Sequence, residues 1–146
     1  MSIKTYTAAG GVLLDPPGEQ VLLLIRPSRD EVRLPKGHVE AEESVRETAL
    51  REVSEESGFD DLEILSDLGE QLVVFPLEGN IIKRTEYYYL MHARTLHQHP
   101  RPQPDAAQFI TLWASWPEAH EHLTFEAERE WLSRAHQALE TLRDQS

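Results

Sequence analysis

Gly37–Phe59 reads GHVEAEESVRETALREVSEESGF, and its spacing predicts a helix that packs on one side and gathers carboxylates on the other. Val45, Ala49 and Val53 recur every four residues, an apolar stripe suited to a core. Glu52, Glu55 and Glu56 stand at i, i+3 and i+4, so all three project roughly the same way. Like charges at these spacings repel by a few tenths of a kcal/mol per pair, a cost that a plain surface helix has no reason to carry. Hard carboxylate oxygens grouped in this way suit Mg²⁺, held together with substrate phosphates. The competing reading is a solvated acidic face. Ser44 followed by Glu47 predicts a capping box that starts the helix near Ser44, and Gly58 predicts a left-handed C-cap.

Working outward, Tyr6–Leu14 and Gln20–Ile25 read as strands joined by a turn at Asp15-Pro16-Pro17-Gly18. The second contains VLLLI, apolar throughout, as a strand covered on both faces requires. Pro27–Arg33 reads as a polar loop, and Leu34–Glu42 as an ordered turn feeding the helix. Leu62–Phe75 and Ile81–Ala93 are further strand runs, turning around Pro76–Asn80. The proline-rich stretch His97–Asp105 predicts an exposed, semi-rigid loop. Phe109–Leu112 is a short strand candidate, and Ser115–His120 starts a short helix with Pro117 in its first turn. Thr124 is placed to cap a last helix ending near Arg143. Trp131, Ala135, Ala138 and Leu142 run along one face, flanked by Leu132 and Leu139. Strands flanked by two helices imply an α+β fold with a mixed sheet covered on both faces.

A chain of 146 residues fits one domain with a real core. It has no cysteine, which excludes disulfides, thiolate metal sites and cysteine nucleophiles and suits a cytoplasmic protein. No apolar run approaches the ~18 residues of a membrane span. The formal charge is −12, with ten of the 26 acidic residues between Glu40 and Glu63. That balance argues against binding a nucleic-acid polymer, which uses a basic face. It leaves room for a small polyphosphate, because bound cations reverse the local field.

Gly37, five residues, Glu43, seven residues, then Arg51-Glu52-Val53-x-Glu55-Glu56-x-Gly58-Phe59 resembles the Nudix box at all nine specified positions of its 23 residues. The flanks are similar to the same family: Gly10-Gly11 in an opening strand, Val21–Ile25 ending at Arg26, and Leu34-Pro35-Lys36. The resemblance implies a hydrolase of nucleoside diphosphates linked to another group. It sharpens the fold to the Nudix α/β/α sandwich, a mixed β-sheet between helices in one domain over residues 1–146. It further implies Glu52, Glu55, Glu56 and the backbone carbonyl of Lys36 as ligands for Mg²⁺ or Mn²⁺. Glu43 is then a brace between loop and helix, and Arg51 an orienting partner able to pair with Glu47 or Glu55. Gly37 serves a close approach or a positive φ at the loop entry, and Gly58 lets the chain reverse after the helix. Glu52 is the first choice for orienting or deprotonating the attacking water. A metal-bound Glu is a poorer base, so Glu86 and Asp105, outside the box, are the other candidates.

LPKGHVE at Leu34–Glu40 resembles the diadenosine polyphosphate hydrolase branch. Lys36 and His38 can each reach phosphate oxygens, with Arg26 and Arg84 as second clamps. In Tyr87-Tyr88-Tyr89 side chains alternate. Tyr88 shares a face with Glu86 and His92 and is the ligand-facing candidate for stacking an adenine, whereas Tyr87 and Tyr89 are candidates for the core. The expected activity is Mg²⁺-dependent cleavage of a diadenosine polyphosphate by a monomer or homodimer. Hydrolysis of an inositol pyrophosphate, nucleoside triphosphate or nucleotide sugar is the alternative. A noncatalytic nucleotide-binding module is another, although such a module is expected to lose a box residue and this chain has lost none.

Overall fold

The computed structural model describes residues 2–101 and 109–146. In chain order it contains β1 (Ile3–Leu14), β2 (Gln20–Arg26), β3 (Glu31–Arg33), β4 (Lys36–His38), α1 (Val45–Ser57), β5 (Leu62–Leu77), β6 (Asn80–Ala93), β7 (Ile110–Ser115), α2 (Trp116–His122) and α3 (Glu126–Asp144). The strands form one seven-stranded sheet in the order β3-β2-β1-β6-β5, with β4 also paired to β1 and β7 to β2. The sheet is mixed: β1 runs parallel to β6 from Ile3 opposite Ile81 to Leu14 opposite His92, while the other pairings are antiparallel. None of the described helices is long and apolar enough to cross a membrane.

Period-two alternation in the central strands feeds two cores. Val21 and Leu23 of β2 join Tyr88, Leu90, Trp131, Ala135 and Leu139 on the α3 side of the sheet. Leu22 and Leu24 join Ala49, Val53, Tyr89 and Met91 on the α1 side. The all-apolar VLLLI run is thus covered on both faces, as buried strands require. The hairpin between β5 and β6 turns on Glu78 and Gly79, with φ of 50° and 80°, the positive values that a tight two-residue hairpin turn needs.

Three local expectations differ from the structure. The stretch Pro27–Arg33 is not wholly loop: Pro27–Arg29 form a 3₁₀ turn, and Glu31–Arg33 pair with β2 as a short edge strand. Lys36–His38, expected as part of a turn, pair with β1, Gly37 lying opposite Ala9. Thr124 does not cap α3. Its hydroxyl accepts a hydrogen bond from the Val32 N–H at 2.8 Å, and Phe125 takes the N-cap position without a side-chain cap bond. The two short strands and Thr124 each take a backbone partner on another element, which the local sequence does not supply.

Candidate active site

α1 begins and ends as its sequence dictates. The Ser44 hydroxyl and Glu47 carboxylate complete a reciprocal capping box, and Gly58 closes the helix at φ 84°. The capping bonds hold Glu47 below the ordinary carboxylate range. Glu47 is therefore committed to the cap, and Arg51 finds other partners. Its Nε and Nη2 donate to the two oxygens of Glu43 at 2.7 and 3.0 Å. Its Nη1 lies 3.4 Å from both Glu52 and Glu55. The Thr48 hydroxyl also donates to Glu43, at 2.5 Å. These bonds, the Arg51 bond foremost, pull the Glu43 carboxyl down to about 2. Glu43 thereby fastens the loop before α1 to the helix, and one guanidinium places positive charge between two box carboxylates.

The third box carboxylate faces β4. Glu56 accepts the Lys36 backbone N–H at 2.9 Å. Glu52 packs against Gly37 so closely that a Cβ at residue 37 would lie 1.8 Å from its Oε2 and 2.1 Å from its carboxyl carbon. Gly37 is needed here for close approach, since any side chain would overlap Glu52. The Lys36 carbonyl, flanked by residues that touch Glu56 and Glu52, belongs to the same junction.

Beside this junction opens a cleft of about 500 Å³, walled by Lys36, His38, Glu56, Arg84, Glu86 and Glu128 among others. Lys36 Nζ lies 3.4 Å from a Glu128 carboxylate oxygen, with both side chains nearly buried. Glu128 also accepts the Leu34 N–H at 3.2 Å, so α3 holds the segment leading into β4. Burial draws Lys36 below and Glu128 above their ordinary values, and their mutual attraction opposes both shifts. Glu86 accepts from Arg84 Nε at 2.7 Å and from Trp131 Nε1 at 2.8 Å. Arg84 also donates to the Tyr6 hydroxyl at 3.1 Å, and the His38 ring lies 4.1 Å from that of Tyr6. The cleft therefore joins a carboxylate junction to basic side chains, Lys36, His38 and Arg84 among them.

The NUDIX domain matches residues 4–135 of the chain. The chain belongs to the NUDIX domain family. A putative mutator protein MutT4 of Mycobacterium tuberculosis (strain CDC 1551 / Oshkosh) is 39% identical over an alignment of 93 residues, a match that covers 58% of this chain and 37% of that protein. The match thus spans little more than a third of that relative's length. Among solved structures, a C. elegans Ap4A hydrolase binary complex superposes with a TM-score of 0.74 at 20% identity, covering 93% of this chain and 98% of the other. The E. coli dihydroneopterin triphosphate pyrophosphohydrolase superposes with a TM-score of 0.69 at 20% identity, covering 90% and 97%. At these identities the two structures establish the shared fold.

The residues of this NUDIX domain suit a hard divalent cation by their chemistry. Glu56 accepts the Lys36 N–H and Glu52 packs on Gly37, so two box carboxylates flank the Lys36–Gly37 peptide at the β4–α1 junction. Glu55 is 38% exposed and joined to Glu52 through Arg51, which already places a cation between the two carboxylates. Among the described residues, no group of three His, Asp or Glu side chains is already placed to hold a metal ion.

Lys36, His38, Arg84 and Glu86 line one cleft. Arg26 does not share its wall, and its guanidinium stands 5.9 Å from the centre of the Phe109 ring. Asp105 lies outside the described residues. Tyr88 requires a correction, because it is 0% exposed and its ring stacks on Trp131 at 4.7 Å. The alternation correctly separates Tyr88 from Tyr89, but α3 covers the Tyr88 face, so this ring is core and presents no surface to a ligand. Burial raises its hydroxyl well above the ordinary tyrosine value. The residue that sequence reasoning missed is Glu128. Its signal was its position three residues before Trp131 and seven before Ala135, an acid in line with an apolar stripe.

Proposed function

We propose that this NUDIX domain is a divalent-metal-dependent pyrophosphohydrolase that directs water onto a phosphoanhydride bond of a diadenosine polyphosphate. One observation carries the reading: Glu56, at the carboxylate junction, shares a single cleft with Lys36, His38 and Arg84. In this scheme Glu52, Glu55, Glu56 and the Lys36 carbonyl hold Mg²⁺ or Mn²⁺, which supplies charge neutralisation at phosphate and a water of lowered pKa. Glu52, fixed against Gly37, orients the attacking water. Lys36 and His38 donate to phosphate oxygens near the scissile bond, and Arg84, steadied by Glu86 and Tyr6, holds a phosphate further along. Both oxygens of Glu86 are engaged by Arg84 and Trp131, which favours a positioning role over that of base.

The test is a comparison of kcat/KM for diadenosine tetra-, penta- and hexaphosphate against ATP, a nucleotide sugar and a diphosphoinositol polyphosphate. The diadenosine compounds are expected to lead, with ATP among the products. Preference for another member overturns the substrate assignment and keeps the reaction. Binding of nucleotides without turnover of any member favours the noncatalytic module.

A further inference from the structure

The cleft carries two polar side chains that the proposed reaction does not use. Glu31 and Arg33 both line it and, at i and i+2 of β3, share one side of the strand. Glu31 Oε1 and Arg33 Nε are buried without a hydrogen-bond partner among the described residues. Arg33 Nη1 stands 3.9 Å from Glu31 Oε1, too far for a hydrogen bond. Buried polar groups are normally satisfied, and an unpaired one calls for a reason.

The strand that carries them is held in place. Val32, between the two, donates its N–H to the Thr124 hydroxyl at 2.8 Å, and the Thr124 N–H returns a bond to the Val32 carbonyl at 3.0 Å. This clasp brings the next residue, Phe125, beside the pair, and the Arg33 guanidinium lies 5.4 Å from the centre of its ring. The charge of Arg33 is felt at both Lys36 and Glu128, so this corner adjoins the proposed phosphate end of the cleft.

Resting on the reading of the cleft as a nucleotide site, we propose that Glu31 and Arg33 form a subsite that reads the edge of a purine base. A carboxylate offers acceptors and a guanidinium donors, here side by side on one strand. A purine edge presents the complement, an N–H donor next to a nitrogen or oxygen acceptor. A phosphate presents acceptors only and meets repulsion from Glu31. The phosphates therefore run toward Lys36, His38 and Arg84, and one terminal base turns toward β3, with Phe125 keeping Arg33 in register.

Binding of a methylene-bridged, non-hydrolysable ATP analogue and of inorganic tripolyphosphate separates base from phosphate recognition. Both are measured by calorimetry with Mg²⁺, on wild type, Glu31→Gln, Arg33→Gln and Arg33→Lys. Each variant should weaken the nucleotide analogue about tenfold or more and change tripolyphosphate binding less than twofold. Lysine should fail to rescue, because it keeps the charge and loses the planar fork. Equal weakening of both ligands, or rescue by lysine, makes Arg33 a phosphate clamp and overturns the proposal. Unchanged nucleotide binding in all three variants overturns it as well. Melting curves accompany each variant; should one fail to fold, the other two decide. The two readings fail separately. Wild type that binds the analogue yet cleaves no polyphosphate defeats the proposed reaction and leaves the subsite testable, whereas wild-type turnover with unaffected variants defeats the subsite alone.

Discussion

Gly37→Ala adds one carbon at the tightest contact in the site. The three atoms nearest to the new Cβ all belong to Glu52: Oε2 at 1.8 Å, Cδ at 2.1 Å and Cγ at 2.6 Å. To open the closest contact from 1.8 Å to beyond 3.0 Å, the carboxylate must retreat by more than 1 Å. A misplacement of about 1 Å in a reacting group can cost about 10²-fold in rate, equivalent to about 2.7 kcal/mol of transition-state stabilisation. The strain of inserting a methyl group into a packed contact adds about 1–3 kcal/mol of lost stability. For the proposed substrate diadenosine tetraphosphate, we expect kcat/KM to fall at least 100-fold, read as released ATP in a coupled luciferase assay, with a lower melting temperature. The control is the Glu52→Ala background, which removes the atoms in the way. There Gly37→Ala should be neutral or stabilising, since alanine is favoured over glycine in a strand by roughly 0.5–1 kcal/mol. A Gly37→Ala enzyme within threefold of wild type, or a stability loss of the same size on both backgrounds, would refute the Gly37–Glu52 contact as the reason for glycine.

Further outcomes follow from individual contacts. Glu56→Gln keeps an acceptor for the Lys36 N–H but removes a charge from the proposed ligand set, so turnover should fall by two or more orders of magnitude while the melting temperature without metal holds; near-normal turnover at saturating Mg²⁺ would remove Glu56 from that set. Tyr88→Ala should cost about 3–5 kcal/mol of stability, whereas Tyr88→Phe should be neutral or stabilising, because the buried hydroxyl has no hydrogen-bond partner among the described residues. A marked loss in the phenylalanine variant on denaturant titration would contradict that. The Glu43 carboxyl is depressed from 4.5 to about 2 by Arg51 and Thr48, so its contribution to stability is complete above pH 4.5 and is lost as the pH falls toward 2. Thermal melts of wild type and Glu43→Gln should therefore converge across that window, and a constant gap between them would count against the Arg51 pairing.

Local chemistry made much of this protein legible. The limits of α1 follow from Ser44, Glu47 and Gly58, because capping depends on residues within one turn of the chain. The same locality placed Glu52, Glu55 and Glu56 on one face and separated Tyr88 from Tyr89. What a sequence period cannot state is which face the rest of the molecule covers. α3 seals the side of the sheet that carries Tyr88 and turns an expected ligand platform into core. β3 and β4 are three residues each, too short for an alternation signal, and exist because β2 and β1 offer them open edges. Arg51 keeps its i+4 partner Glu55 at 3.4 Å and takes Glu43, eight residues away in sequence, in place of Glu47, which is spent on the cap. Glu128 reaches Lys36 across 92 positions of sequence. The chain alone thus determined the helix, its carboxylate face and the family. Only tertiary packing decided which charges share the cleft and which aromatic ring is buried, because those depend on elements that meet from opposite ends of the chain.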